Sequence, residues 1–117
     1  MASTSTASTS VSFTIPVSEK LTRGNFLVWR AQVLPAVRAT HLVGILDGSS
    51  AEPSPMIQVE KPDKSTEKVE NPAYVQWITQ DQQVLSYLLS SMTKEILVQV
   101  SSLEYTAEVW KAINEMF

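Results

Sequence analysis

The stretch from Asn71 to Met92 constrains the chain most, because it spells out both the start and the buried face of a long helix. Asn71 offers a side-chain acceptor for the first free backbone N–H groups, and Pro72 occupies the first helical position, where a missing N–H costs nothing. Tyr74, Trp77, Ile78, Asp81, Leu85, Leu88 and Met92 then recur at spacings of three and four. All are apolar except Asp81. A stripe of this length needs other elements to cover it, and the rest of the chain supplies helical patterns rather than a sheet.

A first helix is expected from an N-cap at Asn25, after Gly24, with Phe26, Trp29, Val33 and Val37 on one face. Pro35 interrupts that pattern, so a kink or break is expected around Val33 and Leu34. A short piece from His41 to Leu46 should end at Asp47-Gly48, where glycine accepts a left-handed cap. Thr93 is expected to cap a further short helix facing Ile96, Leu97 and Val100 inward, broken by Ser101-Ser102. Thr106 should cap a last helix with Val109, Trp110, Ile113 and Phe117 in line. That stripe stops in mid-pattern on Phe117 with no terminating residue, so the chain reads as cut short.

Residues 47–70 are a polar connection containing Pro53, Pro55 and Pro62 and twice as many acids as lysines. Either the connection is mobile, the favoured reading, or Met56 to Val59 pairs with Lys68-Val69 as a hairpin across Pro62-Asp63. The first ten residues form a Ser/Thr-rich tract with nothing to bury, and without arginine or an apolar face they are not read as a transit peptide. Val11, Phe13 and Ile15 alternate with polar residues and suit a short extended segment able to lie in a groove or join an edge. The expected layout is a disordered tail over 1–17 and an all-α bundle of about four to five helices over 18–117.

Composition removes most chemistry. The chain of 117 residues has no cysteine and one histidine, His41, which excludes disulfides, thiolate chemistry and histidine-paired metal sites. No apolar run approaches the roughly 18 residues of a membrane helix, so a cytoplasmic protein is expected. The formal net charge of −3 disfavours a general nucleic-acid binder. Charge is nevertheless segregated. Residues 18–46 set Glu19 against Lys20, Arg23, Arg30 and Arg38, whereas residues 71–117 are mainly acidic. Such opposed segments attract within one fold or between copies.

The candidate site residues favour structure over catalysis. Trp29, Trp77 and Trp110 lie on apolar stripes and are expected in the core with Leu85, Leu88 and Ile113, rather than as base-stacking platforms. Asp81 is costly to bury unless paired. With no second carboxylate or histidine on its helix, it is expected to partner Arg30, cap a neighbouring helix or accept from a tryptophan N–H. His41 reads as a surface or capping residue. No glycine-rich phosphate loop, metal spacing or nucleophile motif occurs. No catalytic residue, cofactor or metal is therefore expected.

Four segments carry a family resemblance. Leu21-Thr22-Arg23-Gly24-Asn25-Phe26-Leu27-Val28-Trp29-Arg30-Ala31-Gln32-Val33-Leu34-Pro35 resembles the opening of plant copia-type retrotransposon Gag polypeptides. Leu46-Asp47-Gly48 is similar to the next marker of those chains. Asn71-Pro72-Ala73-Tyr74 with Trp77 and Asp81, followed by Leu88-Leu89-Ser90-Ser91, resembles the third, and Thr106-Ala107-Glu108-Val109-Trp110 the fourth. They cover about residues 18–117 in family order. The resemblance implies a helical capsid-type domain whose activity is self-association into shells around RNA. The chain ends before the remaining capsid helices, zinc knuckle, protease, integrase and reverse transcriptase of such elements. A smaller homo-oligomer, a dimer or larger and open to helix exchange, is the corresponding expectation, with Val11, Phe13, Ile15 and Phe117 as contacts between copies. The alternative is a domesticated host regulator that binds another protein or full-length Gag and interferes with its assembly. RNA binding is expected to be weak or absent.

Overall fold

The computed structural model describes residues 18–117. In chain order these form α1 (Phe26–Arg38), α2 (Val43–Asp47), β1 (Met56–Glu60), β2 (Thr66–Glu70), α3 (Pro72–Ser90), α4 (Lys94–Val100) and α5 (Thr106–Met116). The fold is helix-rich with one antiparallel hairpin, so the all-α expectation is corrected to a mixed class dominated by helices. The tail expected over 1–17, including Val11, Phe13 and Ile15, lies outside the described residues.

α3 is the spine. Asn71 accepts from the Ala73 N–H at 3.1 Å with Pro72 at the start of the helix, as the sequence dictates. Its second half buries Asp81, Val84, Leu85, Tyr87 and Leu88, whereas Tyr74, Trp77 and Ile78 in its first half are only half-buried. α1 lays Trp29, Val33 and Val37 into the core, α4 adds Ile96 and Val100, and α5 adds Val109 and Ile113. Each fully buried side chain of this kind contributes about 1.5–3 kcal/mol over its exposed state. α2 packs Ile45 and Leu46 beneath α5 and ends at Gly48, whose φ of 83° is the left-handed cap expected there.

The extended segment before α1 closes the bundle. The Leu21 N–H donates to the Ser91 carbonyl at 2.9 Å, and the Thr93 N–H donates to the Leu21 carbonyl at 3.1 Å, a parallel bridge to the turn between α3 and α4. Leu21 is fully buried there. This staple was not foreseen, because a single leucine in a polar stretch has no periodicity to reveal it.

Several local expectations change. α1 passes through Pro35 without a break. Pro35 and Ala31, the residue whose carbonyl loses its partner, are both exposed, on the side of α1 away from the core. Asn25 stands at the N-cap position but its side chain does not cap. Its Oδ1 accepts from the Thr22 N–H at 2.7 Å and its Nδ2 donates to the Lys20 carbonyl at 2.9 Å, which folds the turn before the helix. Thr93 likewise donates its hydroxyl to Leu21, at 2.7 Å, instead of capping α4. Thr106 is the first residue of α5 rather than its cap.

The connection 47–70 takes the hairpin alternative. Met56 pairs with Glu70, Ile57 with Val69, Gln58 with Lys68, Val59 with Glu67 and Glu60 with Thr66. The turn holds because Asp63 Oδ1 accepts from the Ser65 N–H at 3.0 Å and its hydroxyl at 2.6 Å, while Lys64 takes a φ of 72°. Lys61 and Glu67 add an ion pair at 3.0 Å. At its base, Asn71 ties the arm to the bundle by donating its backbone N–H to Pro55 and its side chain to Ser54.

Candidate interaction surfaces

Inside the bundle, two polar junctions hold the helices in register. Asp81, 1% exposed, accepts from the Thr106 N–H at 3.2 Å and from Gln82 Nε2 at 2.8 Å. The Thr106 hydroxyl in turn donates to the Asp81 carbonyl at 2.7 Å. Of the three roles open to Asp81, the structure selects the cap of a neighbouring helix. Its carboxylate supplies in trans the acceptor that α5 lacks at its own cap position, and its charge favours the positive end of that helix. Glu108 completes this end by accepting from the Tyr105 N–H at 3.1 Å and the Glu104 N–H at 3.2 Å. Burial pushes the Asp81 carboxyl above its ordinary value, against the pull of the Thr106 and Gln82 hydrogen bonds, and the neighbouring Glu108 pushes the same way.

The second junction belongs to Trp29. Its Nε1 donates to Ser91 Oγ at 2.9 Å, and Ser91 Oγ donates to the Leu88 carbonyl at 2.6 Å. Trp29 tilts against Trp110 with centroids 5.9 Å apart, and the Arg30 guanidinium sits 5.9 Å from the Trp110 centroid. Arg30 is thereby engaged with an aromatic face rather than with Asp81.

Trp29, Leu85, Leu88, Trp110 and Ile113 are all buried in one continuous hydrophobic core, and Asp81 is buried as well. Trp77 departs from its expected place. It is half-buried, tilted against Tyr105 at 6.3 Å, with its Nε1 donating to Ser50 Oγ at 3.2 Å. Phe117 is 38% exposed and stacks on Phe26 with centroids 5.3 Å apart and planes at 12°. Its ring therefore has one face satisfied within the chain.

Exposed large apolar side chains occur on α1 and on the hairpin, and also at Val43, Val75, Val98, Met116 and Phe117. α1 is amphipathic in the wrong sense for a peripheral helix, because its outer face carries Leu27 at 76% exposure, Val28 at 54%, exposed Ala31 and exposed Pro35. No acid occurs on α1, and Arg30 and Arg38 are its only charged residues. The hairpin is the other surface. Strand alternation and register place Ile57, Val59, Val69 and Glu67 on one face, and only Val69 among them is half-buried. Sequence reasoning missed the α1 face, although Leu27, Val28 and Ala31 between buried neighbours are readable as a second apolar stripe.

Among the described residues, no group of three or more His, Cys, Asp or Glu side chains could hold a metal ion. One surface groove is lined by Glu70, Pro72, Val75, Gln76 and Thr79, and another by residues that include Asp47, Gly48, Trp110 and Lys111. No described helix is long and apolar enough to cross a membrane.

The fold and surfaces together define a small helix-rich domain with a projecting hairpin and an apolar outer helix face. By sequence it is related to retrotransposon polyproteins of a plant. It is 29% identical over 98 residues to the Retrovirus-related Pol polyprotein from transposon RE1 of Arabidopsis thaliana, and 30% identical over 98 residues to that from transposon RE2. The match takes in 84% of this chain, which spans 6% of the length of either polyprotein. No family model matches the chain, and no solved structure matches it.

Proposed function

We propose that this chain is a structural, non-enzymatic self-association domain of the Gag capsid kind, carried by a transposon-derived sequence. The outer face of α1 carries the reading. A helix that seals the core with Trp29, Val33 and Val37 while leaving Leu27 and Val28 in solvent forgoes burial worth about 1.5–2 kcal/mol per side chain. Contact with another protein recovers that burial. We take a second copy of the same chain as that partner, as the resemblance to Gag capsid chains implies.

The test is light scattering coupled to size exclusion across a hundredfold range of protein concentration. A dimer or larger species that grows with concentration is expected. A monomer at every concentration would overturn the reading and turn it towards an adaptor that engages a different protein.

A further inference from the structure

Resting on that self-association reading for the identity of the partner, we infer that β1 is a pairing edge. It joins β1 of a second copy, antiparallel about a two-fold axis at Gln58, into one four-stranded sheet. The hydrogen bonds at the two ends of the hairpin fix which backbone groups are free. The Lys61 N–H donates to the Ser65 carbonyl at 2.8 Å, and the Asn71 N–H donates to the Pro55 carbonyl at 2.9 Å. In the register between them, Ile57 and Val59 turn their backbone groups towards β2, whereas Met56, Gln58 and Glu60 turn theirs outward. Among the described residues no hydrogen bond reaches those outward groups, and every residue of β1 is exposed.

A row of free donors and acceptors takes an extended strand. The side chains along the row select which one. The opposite edge, β2, turns Thr66, Lys68 and Glu70 outward, and pairing it with its own copy over its full length sets Lys68 against Lys68. β1 has a single charge, Glu60 at its end. Paired with its copy over all five residues, it sets Gln58 on Gln58, Glu60 beside Met56 and Ile57 beside Val59, so no like charges meet. The two-fold axis keeps the two faces aligned, and Ile57, Val59 and Val69 of both copies become one apolar surface. Two strands alone are marginal, whereas a sheet of four with an apolar face is not. The pairing uses no residue of α1, so the outer face of that helix stays open for a separate contact.

The chain has no cysteine, so single cysteine variants report the contact directly. The axis brings Gln58 to its counterpart with Cα atoms about 5.5 Å apart, within disulfide reach. Under mild oxidation, Gln58→Cys is expected to form a covalent dimer at least tenfold faster than Lys68→Cys on the other edge. Gln58→Pro removes only an outward N–H, since that group takes no part in the hairpin. It is expected to lower the mean mass in light scattering at least twofold at the highest concentration. Gln58→Glu replaces it where its melting curve departs from the wild type. That variant faces Lys68 within the hairpin but its own copy across the axis, so its dissociation constant should rise roughly threefold at low salt. Equal cross-linking of the two cysteine variants, or wild-type association in the substituted chain, overturns the inference while self-association stands. A wild type that remains monomeric overturns both together.

Discussion

Asp81 holds a carboxylate where solvent does not reach, and its value to the fold depends on the state of that carboxylate. Truncating it in Asp81→Ala strands the Thr106 N–H at the buried start of α5, which is expected to cost about 1–3 kcal/mol of unfolding free energy in urea. Asp81→Asn keeps an acceptor and should recover part of that loss. The pH dependence has a definite sign. Because the folded carboxyl binds its proton more tightly than the ordinary value of 3.8, the native state holds more protons above that pH. The contribution of Asp81 is therefore fully present below 3.8 and declines as the pH rises through the raised folded value. Urea titrations of the wild type and Asp81→Asn between acid and neutral pH should show the wild type gaining on the variant as the pH falls. The oddness of Asp81 was legible from its place on an apolar stripe, but its partner was not. Thr106 lies on another helix, and a backbone N–H leaves no mark in a sequence. His41 is a second residue-scale case. It takes a φ of 62° as it closes the end of α1, donating its N–H to the Arg38 carbonyl at 3.0 Å. Its side chain is exposed, so His41→Gly should raise stability by about 1 kcal/mol, read as a higher melting temperature.

Among the elements, those with both a period and a punctuation mark were the readable ones. Asn71-Pro72 and the stripe behind it define α3, and Asp47-Gly48 ends α2, because each signal acts within a turn or two of where it is written. Pro35 shows the limit of such reasoning. Its local penalty is real, yet the burial of Val33 and Val37 on either side of it holds α1 continuous. The strain should still be recoverable. Pro35→Ala restores a donor to the Ala31 carbonyl on the exposed side, and an expected gain of about 1–3 kcal/mol would appear in urea unfolding. No gain would mean that the rigidity of proline in the unfolded chain offsets the missing hydrogen bond. The hairpin was half legible for a different reason. Its turn chemistry, Lys61 to Ser65, is local and readable, whereas its strands bury almost nothing and so carry little of the apolar alternation that announces a sheet.

At the scale of the whole molecule, the distribution of cations decides what the domain can hold apart from other proteins. Binding to RNA backbones is driven by lysine and arginine displacing counterions from phosphates. Several of the cations here are already engaged. Arg23 pairs with Glu95 at 2.6 Å, Lys61 with Glu67 at 3.0 Å, and Arg30 lies over Trp110. The formal net charge is −3, and none of the three tryptophans offers an open platform flanked by cations, since Trp29 and Trp110 are buried and Trp77 is covered in part by Tyr105. The domain by itself should therefore bind single-stranded RNA more weakly than roughly 10⁻⁴ M at physiological salt, the weak end of non-specific binding. Fluorescence anisotropy with a labelled oligonucleotide measures this directly, and the salt dependence separates the causes. A micromolar affinity falling steeply with salt would show that a basic surface forms when copies assemble, because the arrangement of cations in one copy does not supply it.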